Sequence, residues 1–394
     1  MLLNVKRAME VMKRAGVEAI VATSPENVTY VSGYRSFSQQ IIKATQVYAV
    51  VAAREDCKPV LVAPIGDLDC MADRGPIAPV KAYGVFHVFS DSAGESRPEF
   101  DKFLALLSDR RFETPQQALS AALKDLGIGG GRIALDSTGL TPPARQSIPA
   151  ALAGYSVTEG WSLLREMRMV KTPEEVARIR TATEIAEHAV SAVLSVVHEG
   201  MTEIEMCELF NESVMRRGGV PLLTCIGVGA RSSLPNVQPS PAAVKRGDII
   251  RFDVGCVFDC YCSDIARIAC LGSPSEKAAR YYRAVLEGEQ AALSGVRAGA
   301  VAAGIFDIAI RTTRSAGIPH YARHHCGHGI GLECYDMPSI SPQDATVLEE
   351  GMVINVETPY YELGFAGLQV EDTVLVTGDG FEYLSVSDRS LRAV

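Results

Sequence analysis

Apolar residues recur with two different periods along this chain, and each change of period marks an element. The opening stretch MLLNVKRAMEVMKRAG interleaves Lys6, Arg7, Glu10, Lys13 and Arg14 with apolar residues, the pattern of an amphipathic helix. VEAIVATS, QVYAVVAA, KPVLVAP and GRIALDS are short apolar runs bounded by charged or turn residues, and each predicts a strand. RPEFDKFLALLSD predicts a helix between the later runs. Helices interleaved with apolar strands predict an α/β layer domain over residues 1–164. GIGGGR precedes a strand instead of following one, so it predicts a loop and not a dinucleotide-binding turn.

A second domain, residues 165–394, is predicted from the helix start in KTPEEVARIRTATEIAEHAVSAV. Thr172 is a natural N-cap, Pro173 suits the first helical position and Glu175 completes a capping box. Val176, Ile179, Ile185 and Ala189 then form one apolar face. Further on, IIRFDVGCVF reads as a strand and YCSDIARIAC as its continuation or partner across a turn. MVINVETPYY and GLQVEDTVLVT read as two more strands, and the whole chain is predicted to be α+β.

The 394 residues exceed one ordinary core, which agrees with two domains. With 47% apolar and 22% charged residues, the balance is that of a soluble globular protein. No run of about 18 uncharged apolar residues occurs, so no membrane span is expected. The amino terminus lacks the continuous apolar core of a secretory signal. A net charge of −9 with no basic block argues against nucleic acid or an anionic membrane as partner. Ten cysteines are scattered without a C-x-x-C pair, and Cys256, Cys260, Cys262 and Cys270 fit no zinc-ribbon spacing. Reduced thiols in a cytoplasmic setting are the expectation.

The predicted strands of the second domain carry acids where apolar residues belong. Asp253 lies between Phe252 and Val254, and Asp264 follows eleven residues later, so an intervening turn can bring both carboxylates together. Glu357 and Glu371 sit in similar apolar runs. Any one of these acids alone reads as a salt-bridged strand residue. Four buried carboxylates need a common counterion, because each costs several kcal/mol when buried unpaired. RHHCGHGIGLECYDMP adds histidines and glycines, with His328 as the imidazole and the glycines permitting close backbone approach. Asp253, Asp264, His328, Glu357 and Glu371 make a hard, oxygen-rich set suited to manganese, iron, cobalt or zinc. Five donors exceed one tetrahedral ion, so two divalent ions sharing a bridging hydroxide are the expected count.

DVGCVFDCYCSDIAR, HHCGHGIGLE, INVETPYY and VEDTVLVT resemble, in order and spacing, the metal-binding segments of the pita-bread metallohydrolases. That family includes methionine aminopeptidase, aminopeptidase P, prolidase and creatinase. LREMRMVKTPEEVARIRTA is similar to the entry helix of their catalytic domain, and ENVTYVSGY to the amino-terminal domain of the creatinase and prolidase branch. The resemblance covers nearly the whole chain. It implies a C-terminal pita-bread domain preceded by a creatinase-like α/β domain, a homodimer, and two divalent ions, with manganese first and cobalt, iron or zinc as alternatives. By position, Asp253 is the bidentate and Asp264 the bridging aspartate, and His328 is the sole imidazole ligand. Glu357 binds metal and acts as general base, Glu371 bridges, and His324 matches a substrate-pocket histidine.

Three positions depart from the pattern. Tyr335 and Asn236 stand where the family carries histidines that handle substrate, and Gln369 stands where it carries arginine. Tyrosine and asparagine donate hydrogen bonds but do not shuttle protons near neutral pH as imidazole does. The activity implied is hydrolysis of a C–N bond in a small substrate, with Xaa-Pro dipeptides as the default class. A non-peptidase member acting on a small nitrogenous or sulfonium metabolite is the alternative, resembling creatinase, ectoine hydrolase or dimethylsulfoniopropionate lyase. A catalytically dead binding module is the third reading, against which the complete ligand set argues.

Overall fold

A computed structural model describes residues 2–56, 58–74, 78–91, 94–95, 97–109 and 111–394. The chain divides into two compact units, Met1–Arg168 and Met169–Val394, with the break at 168/169 where the sequence suggested 164/165. The helix Trp161–Met169 runs through the suggested boundary.

The first unit is built on a six-stranded sheet of β1 (Ala19–Ala22), β2 (Tyr48–Ala52), β3 (Val60–Pro64), β4 (Val80–Tyr83), β5 (Gly131–Leu135) and β6 (Tyr155–Glu159). The order is β4-β3-β2-β1-β5-β6, with β1 antiparallel to β2 and parallel to β5. The four apolar runs form the inner strands, whereas the sequence reading missed β4 and β6, the two edges. Edge strands bury less, and VKAY and YSVTE accordingly carry no continuous apolar run. The predicted helices form at Val5–Ala15 and Pro98–Ser108. Asp136, just beyond β5, is buried and accepts from Thr23 N, Ser24 N, Asn27 Nδ2 and Thr138 N. Burial pushes its carboxyl up, but these donors outweigh that and hold it below the usual range.

In the second unit the strands are β7 (Val220–Val228), β8 (Ile249–Phe258), β9 (Tyr261–Cys262), β10 (Ile265–Cys270), β11 (Gly327–Gly329) and β12 (Asp336–Ser339). They continue with β13 (Val353–Glu357), β14 (Tyr360–Glu362), β15 (Ala366–Leu368), β16 (Glu371–Val376), β17 (Phe381–Tyr383) and β18 (Arg392–Ala393). The large sheet runs β12-β11-β13-β16-β10-β8-β7, with β9, β17 and β18 attached at its sides. The helix Pro173–Leu194 carries the capping box expected of Thr172 and Glu175. It packs with Glu203–Arg216 over Ile250, Phe252, Val254 and Cys256 of β8. A second helix pair, Glu276–Ser294 and Ala302–Ser315, packs over Ile354 and Val356 of β13 and Val374 and Val376 of β16. Side chains alternate across a strand, so the residues between these apolar positions face the other way. Arg251, Asp253, Asn355, Glu357 and Glu371 are therefore gathered on the face turned from the helices.

Among the described residues no helix is long and apolar enough to cross a membrane. The described cysteines are free of disulfides, and Cys57 lies outside the described residues.

Candidate metal centre

The turn expected between the two aspartate strands is Asp259–Cys260, with φ of 45° and 74°, which closes β8 onto β9. Two consecutive left-handed residues match the twist of a tight hairpin. β10 then pairs antiparallel with β8, Ile265 opposite Val254 and Ala266 opposite Asp253, so Asp264 at the head of β10 lies beside Asp253. β13 and β16 pair with Glu357 directly opposite Glu371. His328 lies on β11 opposite Asn355 of β13. Its flanking glycines leave no choice of residue: a Cβ on Gly327 would stand 2.0 Å from Asn355 O, and one on Gly329 2.0 Å from Met337 O. The strand bearing the imidazole fits between its neighbours only because both positions lack a side chain.

Asp264, His328 and Glu371 each bring one ligand atom within 4.8 Å of the others, and all three are buried. His328 Nδ1 lies 3.0 Å from Gly329 O, a group that can only accept, so Nδ1 carries the proton. Nε2 is then a lone pair, and it faces Asp264 Oδ2 and Glu371 Oε1 at 3.8 Å each. A lone pair aimed at two carboxylates is repulsive unless a cation lies among them. His328 Nε2, Asp264 Oδ1 and Glu357 Oε1 are all buried without a hydrogen-bond partner. Orphaned acceptors on one imidazole and two carboxylates are the donor set that a divalent ion satisfies.

Electrostatics point the same way. Burial raises Asp264 and Glu371 well above the usual carboxylate range, and the neighbouring acids add to it. Burial likewise pushes Glu357 up to about 7 and raises Asp253. Burial holds His328 down at about 4, keeping the imidazole neutral and able to ligate. Such shifts cluster at functional sites, because a cation would reverse the cost of the charged forms.

Asp253 and Glu357 stand beside this triad. Asp253 Oδ2 accepts from Arg251 Nη1 at 2.9 Å. Glu357 Oε2 accepts from Gln369 Nε2 at 3.3 Å, and the same amide reaches Glu371 Oε2 at 3.5 Å. Gln369 is thus placed between the two glutamates. Tyr335 stacks on His328, ring centroids 3.8 Å apart, with 59% of its surface exposed. His324 and Asn236 are exposed. The histidine nearest Glu357 is instead His325, whose Nδ1 accepts from Gly327 N at 3.4 Å and lies 3.1 Å from Glu357 Oε1 without donating to it.

Sequence reading missed Arg251, Asn355, His325, Cys334 and Arg323. Asn355 Nδ2 donates to Glu371 Oε1 at 2.9 Å and to Asp264 O at 3.2 Å. Cys334 Sγ donates to Asp264 Oδ2 at 3.4 Å. A signal for two of them was present: Arg251 and Asn355 each precede a strand acid by two positions, in RFD and NVE, as Gln369 does in QVE. The two-residue period puts each polar residue on the same face as its acid. Arg323 helps line a nearby cavity of about 670 Å³ with Lys277, Tyr281, Tyr360 and Tyr361.

Comparison with known proteins places the chain among metallopeptidases. An Xaa-Pro dipeptidase of Pyrococcus furiosus is 38% identical over 232 residues, which span 58% of this chain and 66% of that relative, just under two thirds of its length. The solved prolidase of Pyrococcus horikoshii matches with a TM-score of 0.78 at 27% identity, covering 98% of this chain and 99% of that one. A Bacillus anthracis Xaa-Pro dipeptidase structure reaches a TM-score of 0.80 at 23% identity over 99% of both chains, a likeness of fold. Residues 177–378 match metallopeptidase family M24, and residues 4–170 match the creatinase/prolidase N-terminal domain. With the strands that carry Asp253, Asp264, His328, Glu357 and Glu371 inside the first of these matches, the chain belongs to metallopeptidase family M24, its pita-bread domain preceded by a creatinase/prolidase N-terminal domain.

Proposed function

We propose that this protein is a divalent-metal-dependent Xaa-Pro dipeptidase. The observation that carries the reading is the convergence of Asp264, His328 and Glu371, with His328 Nε2 and Asp264 Oδ1 buried and unpartnered. The names of the relatives support this activity over the small-metabolite alternative suggested by Asn236 and Tyr335.

Asp253, Asp264, His328, Glu357 and Glu371 would hold two ions, with manganese first and cobalt, iron or zinc as alternatives. When bound, the ions supply Lewis-acid polarisation of the scissile carbonyl and lower the pKa of water. Glu357 Oε1, a buried oxygen without a donor, takes the proton released as water attacks. Gln369 holds Glu357 and Glu371 in place through its amide. Although much of the ring is exposed, desolvation of the hydroxyl and the surrounding carboxylates keep the Tyr335 phenol protonated, so it acts as a hydrogen-bond donor to developing negative charge on the substrate. Asn236 and His324, on the exposed side, orient the rest of the substrate.

Metal analysis of the purified protein, followed by assay on a panel of Xaa-Pro dipeptides with manganese or cobalt, tests the reading. Stoichiometric metal with turnover of Xaa-Pro substrates supports it. Absence of any bound or activating divalent ion, or inactivity on every dipeptide, overturns it.

A further inference from the structure

The two oxygens of Glu357 have opposite surroundings. Oε2 accepts from the Gln369 amide at 3.3 Å. Oε1 is buried without a hydrogen-bond donor, and His325 Nδ1 lies 3.1 Å from it. That nitrogen accepts from Gly327 N at 3.4 Å. A main-chain N–H only donates, so Nδ1 holds a lone pair and the ring proton sits on Nε2. Two acceptors at such a distance repel while Glu357 is ionised, and no hydrogen bond joins them. The same pair becomes complementary when Oε1 carries a proton: Oε1–H then has an acceptor within reach, and Oε2 keeps its amide donor.

The main chain holds the two side chains at this separation. Glu357 N donates to Cys326 O at 3.1 Å, so the residue after His325 is tied to the backbone of the glutamate itself. Gly327 pairs with Val356, the residue before Glu357. The imidazole meets the rings of His324 and Tyr335 edge-on, with centroids 4.4 Å and 6.1 Å away, and only 15% of its side chain is exposed. A largely enclosed imidazole thus stands against the one glutamate oxygen free to receive a proton. An interaction that forms only after proton transfer stabilises the later state and not the resting one, which is the kind that raises kcat.

We infer that His325 Nδ1 accepts a hydrogen bond from Glu357 Oε1–H once the glutamate has taken the proton of the attacking water, which makes His325 a positioning residue for the general base. This rests on the dipeptidase reading and names what steadies the proton between its two transfers. The proton leaves the water oxygen, resides on Oε1, and passes to the leaving amide nitrogen as the C–N bond breaks. Glu357 returns to the ionised form, and His325 keeps its own Nε2 proton throughout.

The test is steady-state hydrolysis of Ala-Pro by manganese-loaded wild type, His325→Leu, His325→Asn and His325→Gln, with the manganese affinity of each measured by calorimetry. His325→Leu should lower kcat about 10- to 100-fold, the loss of one strong hydrogen bond, with KM and manganese affinity near wild type. Unchanged KM and affinity report an intact fold and centre. His325→Asn, whose amide oxygen stands near the place of Nδ1, should recover much of kcat. His325→Gln, whose amide reaches the place of Nε2, should stay as low as His325→Leu. Wild-type kcat in His325→Leu overturns the inference and leaves the dipeptidase reading standing. So does rescue by glutamine and not asparagine, which would assign the work to Nε2. A fall in manganese affinity that matches the fall in kcat also overturns it, by assigning the ring to support of the ligand set. If wild type cleaves neither Ala-Pro nor any other Xaa-Pro dipeptide, the dipeptidase reading falls, and this inference with it.

Discussion

Arg251 and Asp253, two residues apart on β8, form an ion pair of 2.9 Å in which the arginine is fully buried. The same guanidinium donates to the carbonyls of Ser232, Leu234 and Pro235, tying the segment that leads to Asn236 to the strand of the first aspartate. Arg251→Met would leave these carbonyls without donors and Asp253 without a counter-charge. Manganese affinity measured by calorimetry should fall about 10- to 100-fold, as when other partners of ligating groups are removed. Arg251→Lys, which cannot reach several acceptors at once, should fall between the two. Wild-type affinity in Arg251→Met would refute the positioning role.

The pH dependence of stability at the centre follows from three of its buried acids, Asp264, Glu357 and Glu371. Each has a folded pKa above its unfolded value, so the folded state holds protons more tightly and loses stability as pH rises. His325 and His328, both held down at about 4, act in the opposite sense, opposing folding as pH falls below the ordinary histidine value. As pH rises past about 6.5 the unfolded imidazoles lose their protons as well, so their contribution fades and the carboxylates dominate the slope. Metal-free protein should therefore melt at a lower temperature at pH 8 than at pH 7. The gain on adding manganese should grow over the same interval. Thermal melts with chelator and with manganese at both values decide the sign.

Tyr335→Phe keeps the ring stacked on His328 but removes the donor. Its kcat on Ala-Pro should drop about 10-fold or more with metal content unchanged. Tyr335→His should retain activity, since imidazole can also donate. A Tyr335→Phe variant as active as wild type would show that the phenol does no more than cover the imidazole.

Asp372, next to Glu371, is fully buried and accepts from Arg267 and Ser385 at 2.6 Å each and from Arg389 at 2.5 Å. Asp372→Ala leaves the buried Arg267 with less compensation. Denaturant unfolding should show a loss of about 3–5 kcal/mol. Because β16 carries both residues, manganese affinity should weaken as well.

Thr172 and Glu175 close a capping box at the first helix of the catalytic unit. Thr172→Ala should cost about 1 kcal/mol in denaturant unfolding with activity retained.

The two-domain α+β plan was legible because periodicity is a property of long segments, and the capping box around Thr172 is a local signal. The edge strands β4 and β6 were not legible, since a half-exposed strand need not be apolar. The carboxylates were legible as misfits: a charge among valines and isoleucines has few explanations. Arg251 and His325 were hidden for different reasons. Arginine in a strand reads as an exposed residue until the fold buries it. Nothing local distinguishes His324 from His325, because which imidazole turns inward depends on how the segment enters β11. Arg323 required the cavity itself, which is made by segments distant in sequence.

The alternation that puts Arg251, Asp253, Asn355, Glu357 and Glu371 on one face also guards the assembly of the sheet. A slip of one residue between β13 and β16 would turn Glu371 toward the helices and Val374 away from them. Mispairing would thus bury a charge among aliphatic side chains and expose the aliphatic row in its place. Such a chain would have no stable resting point. The residues assigned to chemistry also act as a proofreading device for folding, and a divalent ion in the growth medium should raise the yield of correctly zipped protein before any substrate is met.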